Sequence, residues 1–87
     1  MELNLLASRI NVLCAHVSVR DDESGPYLFA VGVRHVHSLD LRRRDGVLAL
    51  EYWRGPPNQD RCIAKESPST FEEAYTRCAN WLAHDNQ

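Results

Sequence analysis

Lysine is almost missing from this chain: Lys65 stands alone beside nine arginines. Cationic contacts therefore rest on guanidinium groups, which grip carboxylate or phosphate bidentately and tolerate partial desolvation better than ammonium does. Cysteine is scarce and odd in number (Cys14, Cys62, Cys78), so a complete disulfide framework is excluded. No apolar run approaches the ~18–20 residues that a membrane span requires. The opening MELNLLASRI lacks the basic segment and cleavage site of a secretory signal, and the expected setting is cytoplasmic, with reduced thiols. No GxSxG, P-loop, GxGxxG or HExxH pattern occurs, which removes the commonest routes to hydrolase, phosphate-binding, dinucleotide or zinc-protease chemistry.

What remains is the composition of a folded domain. Of the 87 residues 44% are hydrophobic and 25% charged, too apolar for a disordered segment. Surface scaling gives roughly 5,200 Å² accessible in the folded state, about 64% less than the extended chain exposes, which is enough for one core and one domain over 1–87. The net charge of -2 hides a segregation. Residues 34–65 carry seven bases against four acids, whereas both ends are acidic. The molecule is thereby polarised, with a basic middle.

Hydrophobic spacing supplies the elements. Leu3, Leu6, Ile10, Leu13, Cys14 and Val17 recur every three or four positions and predict an amphipathic helix over 3–17. The acid-rich RDDESGP that follows reads as a loop. Residues 27–37, rich in aromatic and β-branched side chains, predict a long strand with a bend at Gly32. Alternation continues through Leu39 and Leu41 to Asp45-Gly46, a tight-turn dipeptide, before the run at 47–53. Gly55-Pro56-Pro57-Asn58 is a second turn, and a short strand at 61–65 follows. The final helix opens on a capping box, Thr70 with Glu73 three residues on or, in an alternative register, Ser69 with Glu72, and buries Phe71, Ala74, Cys78, Trp81 and Leu82. The tail from His84 to Gln87 is expected to fray. The expected fold is α+β: a two-layer α/β sandwich in α-β-β-β-α order, with a three-stranded antiparallel meander and both helices on one face.

Within that frame the candidate residues divide by chemistry. His35 and His37, two apart on the expected strand, would share a face as the first two ligands of a zinc site, with Cys62 or Asp40 as a third. No second ligand pair has the required spacing, so both are placed on the solvent face with Val36 inward, and neither metal nor cofactor is expected. Cys14 and His16 fall on different helix faces and form no nucleophile-base pair. Arg42, Arg43 and Arg44 at a hairpin tip, with Tyr52 and Arg54 on the next strand, combine base and aromatic as a phosphate-binding or protein-binding surface would. Because strand neighbours face opposite ways, only one of Tyr52 and Trp53 enters the core; the expectation is Trp53, with Val47, Ala49 and Trp81, leaving Tyr52 outside.

The stretch TFEEAYTRCANWL, with its Thr cap, its acid three residues later and its Trp-Leu pair, resembles the strand-to-helix junction of the amino-terminal domains of tyrosine recombinases. It is similar as well to the same junction in HicB-like antitoxins. The α-β-β-β-α order is that of double-stranded-RNA-binding domains, which implies phosphate-gripping bases at the start of the last helix. Here Ser69, Thr70, Glu72 and Glu73 stand there instead, and carboxylates repel phosphates. The resulting expectation is a non-enzymatic module, a bacterial or phage-encoded accessory or inhibitor protein, that binds and modulates a larger protein partner. The expected partner-binding residues are His35, His37, Arg42, Arg43, Arg44, Tyr52 and Arg54. A homodimer, and a nucleic-acid-binding domain using the arginine hairpin, are the alternatives.

Overall fold

The computed structural model describes residues 3–56 and 58–86. Its accessible surface, 5292 Å², matches the size scaling of a compact single core. The chain runs through α1 (Leu3–Ile10), a 3-10 turn (Asn11–Leu13), β1 (His16–Asp22), β2 (Gly25–Val31), β3 (His37–Arg44), β4 (Val47–Arg54), β5 (Arg61–Glu66), α2 (Phe71–Ala83) and a closing 3-10 turn (His84–Asn86). The strands form one five-stranded antiparallel sheet in sequence order.

The α+β class stands, but three expected strands are five. The first addition comes from the supposed end of the first helix and the supposed loop. Val17 and Val19 alternate with His16, Ser18 and Arg20, a period-2 pattern of β-branched residues that suits a pleated strand better than a helix. The helical spacing of Leu13, Cys14 and Val17 coincides with it over too few residues to discriminate. Cys14 is already extended (φ -143°, ψ 164°) and its thiol donates to the Ile10 carbonyl, closing the helix there. At the other end of β1, Glu23-Ser24 form a two-residue turn, supported by Ser24 N–H donating to Asp22 Oδ1 at 2.8 Å and by Gly25 at φ 99°.

The second addition splits the expected strand at 27–37. β2 ends at Val31, and residues 32–36 form a loop closed by Gly32 N–H donating to the His37 carbonyl (2.8 Å). His35 lies in the left-handed region at φ 60°, so alternation does not pass through it. His35 and His37 consequently do not share a strand face. His37 is buried while Val36 is exposed, the reverse of the expected placement.

The β3–β4 hairpin forms as expected on Asp45-Gly46, with both residues at positive φ (52° and 79°), the turn whose twist matches that of the strands. A Cβ at Gly46 would meet no heavy atom within 4 Å, so Gly46→Ala pays only the left-handed backbone cost. Urea denaturation is expected to show a loss of about 1 kcal/mol with the fold retained. The turn at Gly55 forms too, with Gln59 N–H donating to the Pro56 carbonyl; Pro57 lies outside the described residues. Thr70 caps α2 by accepting from Glu73 N–H, and the Glu73 carboxylate reaches back to Ser69 N–H.

One core joins the layers. Leu6 and Ile10 of α1 meet Ala74, Cys78 and Leu82 of α2. The middle strands add Leu28 and Ala30, Leu39 and Leu41, and Leu48, Leu50 and Tyr52. These strand residues share one face, since Leu28 pairs with Leu41, Leu41 with Leu50, and Leu39 with Tyr52. Tyr52 is thus inward and Trp53 outward, contrary to expectation. Glu51 carries the reason: a charged residue on β4 belongs on the outer face, and Trp53, two positions on, shares it.

The tail is likewise anchored instead of frayed. Asp85 is buried at 2% exposure and its carboxylate accepts hydrogen bonds from the 32–37 loop. Gln87 lies outside the described residues.

Candidate functional site

The sheet face opposite the core carries Tyr27, Phe29 and Val31 from β2, Ser38, Asp40, Arg42 and Arg44 from β3, and Ala49, Glu51 and Trp53 from β4. β1 extends it with His16, Ser18, Arg20 and Asp22. Most of these side chains are half-buried by their neighbours in the sheet.

Two guanidinium groups are set on rings. The Arg42 group lies 4.6 Å from the Tyr27 centroid and donates from Nη1 and Nη2 to the two Asp22 oxygens, each at 2.8 Å. The Arg20 group lies 4.4 Å from the Phe29 centroid, with its Nε donating to Ser18 Oγ at 3.1 Å. Ring stacking holds both side chains in place before anything binds, and bidentate pairing with Asp22 fixes Arg42 further. Arg42 beside it holds the Asp22 carboxyl down at about 2.

The centre of the face is acidic. Asp40 and Glu51 are direct cross-strand partners, and with Arg42, Arg44 and Ala49 they line a cavity of about 110 Å³. Burial, then the adjacent Glu51 carboxylate, push Asp40 up to about 6. Among the described residues the enclosed Trp53 indole N–H has no partner at ordinary hydrogen-bond geometry, and its proximity lowers the Asp40 carboxyl. Because Asp40 holds its proton more tightly folded than unfolded, its contribution to stability falls as pH rises from about 4 to about 6. Carboxyl carbon NMR is expected to give an Asp40 midpoint near 6, and Asp40→Asn to remove this loss of stability with rising pH.

On the core side, a groove of about 340 Å³ runs between α2 and β5, lined by Tyr52, Ile63, Glu66, Arg77, Trp81 and His84 among others. Tyr52 donates its hydroxyl to Glu66, and Arg77 pairs with Glu66 and with Glu73 (2.9 Å). Burial, then the bond to Glu66, raise the Tyr52 phenol, so it is a fixed donor at neutral pH and no base. Burial pushes the Cys78 thiol up to about 12 and also raises Cys14, so both groups favour the protonated thiol over the thiolate. Among the described residues no group of three His, Cys, Asp or Glu side chains is placed to hold a metal ion.

The seven residues singled out from the sequence do not meet on one surface. Arg42 and Arg44 share the outer face. Arg43 points the other way, into a cavity with Gly46, Leu48 and the start of α2. Tyr52 and His37 are buried, His35 is exposed in the loop, and Arg54 lies exposed at the end of β4 opposite His37. Sequence reasoning missed Arg20, Asp22, Phe29 and Trp53 as members of one face. The alternation of β1 was the available signal for the first two, and Glu51 for the last. No helix of the described residues is long and apolar enough to cross a membrane.

Comparison with known protein families, curated proteins and solved structures finds no match to this chain. With five strands between the helices, the α-β-β-β-α order shared with double-stranded-RNA-binding domains does not hold.

Proposed function

We propose that the chain is a non-enzymatic interaction module that binds and modulates a larger protein partner through the outer sheet face. The observation that carries this reading is the pre-paired, mixed character of that face: Arg20 and Arg42 stacked on Phe29 and Tyr27, with Asp22, Asp40 and Glu51 among them. Arginine and aromatic side chains dominate interface hot spots, and groups already held in place lose little freedom on binding. The partner surface would cover Phe29 and Trp53 with apolar side chains and offer an acid to Arg44.

The same arrangement disfavours a phosphate backbone, because the carboxylates repel it and Arg42 is already neutralised by Asp22. Titration with duplex DNA and RNA at two salt concentrations is expected to show no micromolar binding. Binding with a steep negative salt slope, abolished when Arg42, Arg43 and Arg44 become Ala, would transfer the reading to nucleic acid. For the protein partner, capture from the source cell is expected to retain one partner on the wild-type chain and on Arg61→Ala, and to lose it with Arg44→Ala plus Trp53→Ala. Retention by the double variant would remove the outer face from the contact. Self-association in sedimentation, lost with the same variant, would identify a second copy of the chain as the occupant.

A further inference from the structure

The loop between β2 and β3 converges on a single carboxylate. Asp85 Oδ2 accepts from Arg34 N–H at 2.5 Å, and Oδ1 accepts from Val36 N–H (3.2 Å), His37 N–H (3.0 Å) and the His37 ring at Nδ1 (2.8 Å), which therefore carries the proton. Backbone N–H groups gathered around a left-handed residue, here His35, make an anion-binding concavity. Gly32 completes it: a Cβ there would stand 2.4 Å from Asp85 Oδ2, so only glycine admits the carboxylate.

Besides these bonds to Asp85, the loop has hydrogen bonds of its own that do not involve the tail. Gly32 N–H donates to the His37 carbonyl, His35 N–H to the Gly32 carbonyl, and Gly55 N–H to the Val36 carbonyl. The His37 ring packs edge-on against Trp81 of α2 at 4.7 Å, and Trp81 Nε1–H donates to the Ser38 carbonyl at 2.7 Å. Its present occupant, by contrast, is carried by a three-residue 3-10 turn beyond the end of α2, where His84 is exposed. Such short turns have poorer hydrogen-bond geometry than the α-helix that they extend.

We propose that the 32–37 loop is a preformed carboxylate-binding site which Asp85 fills in cis, and which accepts an external carboxylate when the tail lifts. The bidentate arrangement, with one oxygen on Arg34 and the other on the 36–37 segment, fits a planar carboxylate. The site lies at the loop end of the sheet and is separate from the outer face argued above, so it does not depend on that reading.

The test uses the full chain with Asp85→Ala, isotope-labelled, titrated with sodium formate against sodium chloride at constant ionic strength. Formate is expected to shift the amide signals of Arg34, Val36 and His37 saturably and to restore most of the melting temperature lost by the substitution, while the wild-type chain does not respond at these concentrations. Amide shifts that chloride reproduces, or no stabilisation specific to formate, would overturn the proposal. If Asp85→Ala does not fold in chloride, folding in formate is the supporting result. Asp85→Asn, which keeps the site filled by a carbonyl acceptor, is measured in parallel and is expected to respond less than Asp85→Ala; failure of formate to act on Asp85→Ala removes the site.

Discussion

Replacing Asp85 by alanine is expected to lower stability by about 3 kcal/mol, because it leaves several partly or fully enclosed N–H donors without an acceptor. For a chain of this size the melting temperature should fall by about 15 °C. The loss should carry a pH signature. Burial raises the Asp85 pKa, but the hydrogen bonds from His37, Arg34 and Val36 outweigh it, and the carboxyl lies below its ordinary 3.8. A depressed folded-state pKa gives stability that is fully present above the unfolded value near 4 and disappears as pH falls through the folded value. Thermal melts of the wild type should therefore decline below about pH 4, and the decline should be shallower in the variant. Gly32→Ala offers an independent approach to the same contact, since its Cβ would displace the Asp85 carboxylate from only 2.4 Å away. Both substitutions break one interaction, so the double variant should cost far less than the two single losses added. Additive losses would mean that Gly32 matters for some reason other than Asp85.

Adjacent residues of β4 should behave in opposite ways. Tyr52 is 8% exposed, packs 5.0 Å from the Trp81 ring and belongs to the core cluster. Tyr52→Ala is expected to cost about 3–4 kcal/mol in urea denaturation through the cavity it opens and the loss of its hydroxyl bond to Glu66. Trp53 lies on the outer face with an indole N–H that no partner satisfies among the described residues. Trp53→Ala is expected to cost about 1 kcal/mol, since truncation removes half-buried area but also an unpaired donor. If the outer face binds a partner as proposed, Trp53→Ala is expected to be the more damaging change for that contact. A larger stability loss at Trp53 than at Tyr52 would show that the strand presents its other face to the core.

Legibility in the sequence followed signal length. The hairpin at Asp45-Gly46 and the Thr70 cap are local chemistry, decided by two to four neighbouring residues, and both formed where expected. β1 was not legible as a strand because Leu13, Cys14 and Val17 satisfy a helical period while Val17 and Val19 satisfy a strand period, and pairing with β2 decides between them. The outer face was only partly legible: Arg42 and Arg44 follow from the hairpin, but Arg20 and Asp22 reach it through the unrecognised strand. The β4 run was ambiguous because apolar residues occupy both its faces, and only Glu51 marked the outer one.

By itself the sequence determined the class, a small α+β domain with an antiparallel sheet, and the local turns and caps, because each rests on periodicity or backbone preference carried by nearby residues. Tertiary structure alone decided what meets across distance. It set Arg42 against Asp22, brought Asp40 beside Glu51, and drew Asp85 forty-eight residues back to His37. A buried carboxylate at the end of a chain reads as a solvated tail until the loop that supplies its donors is folded, since burial of a charge depends on partners that spacing along the chain does not reveal.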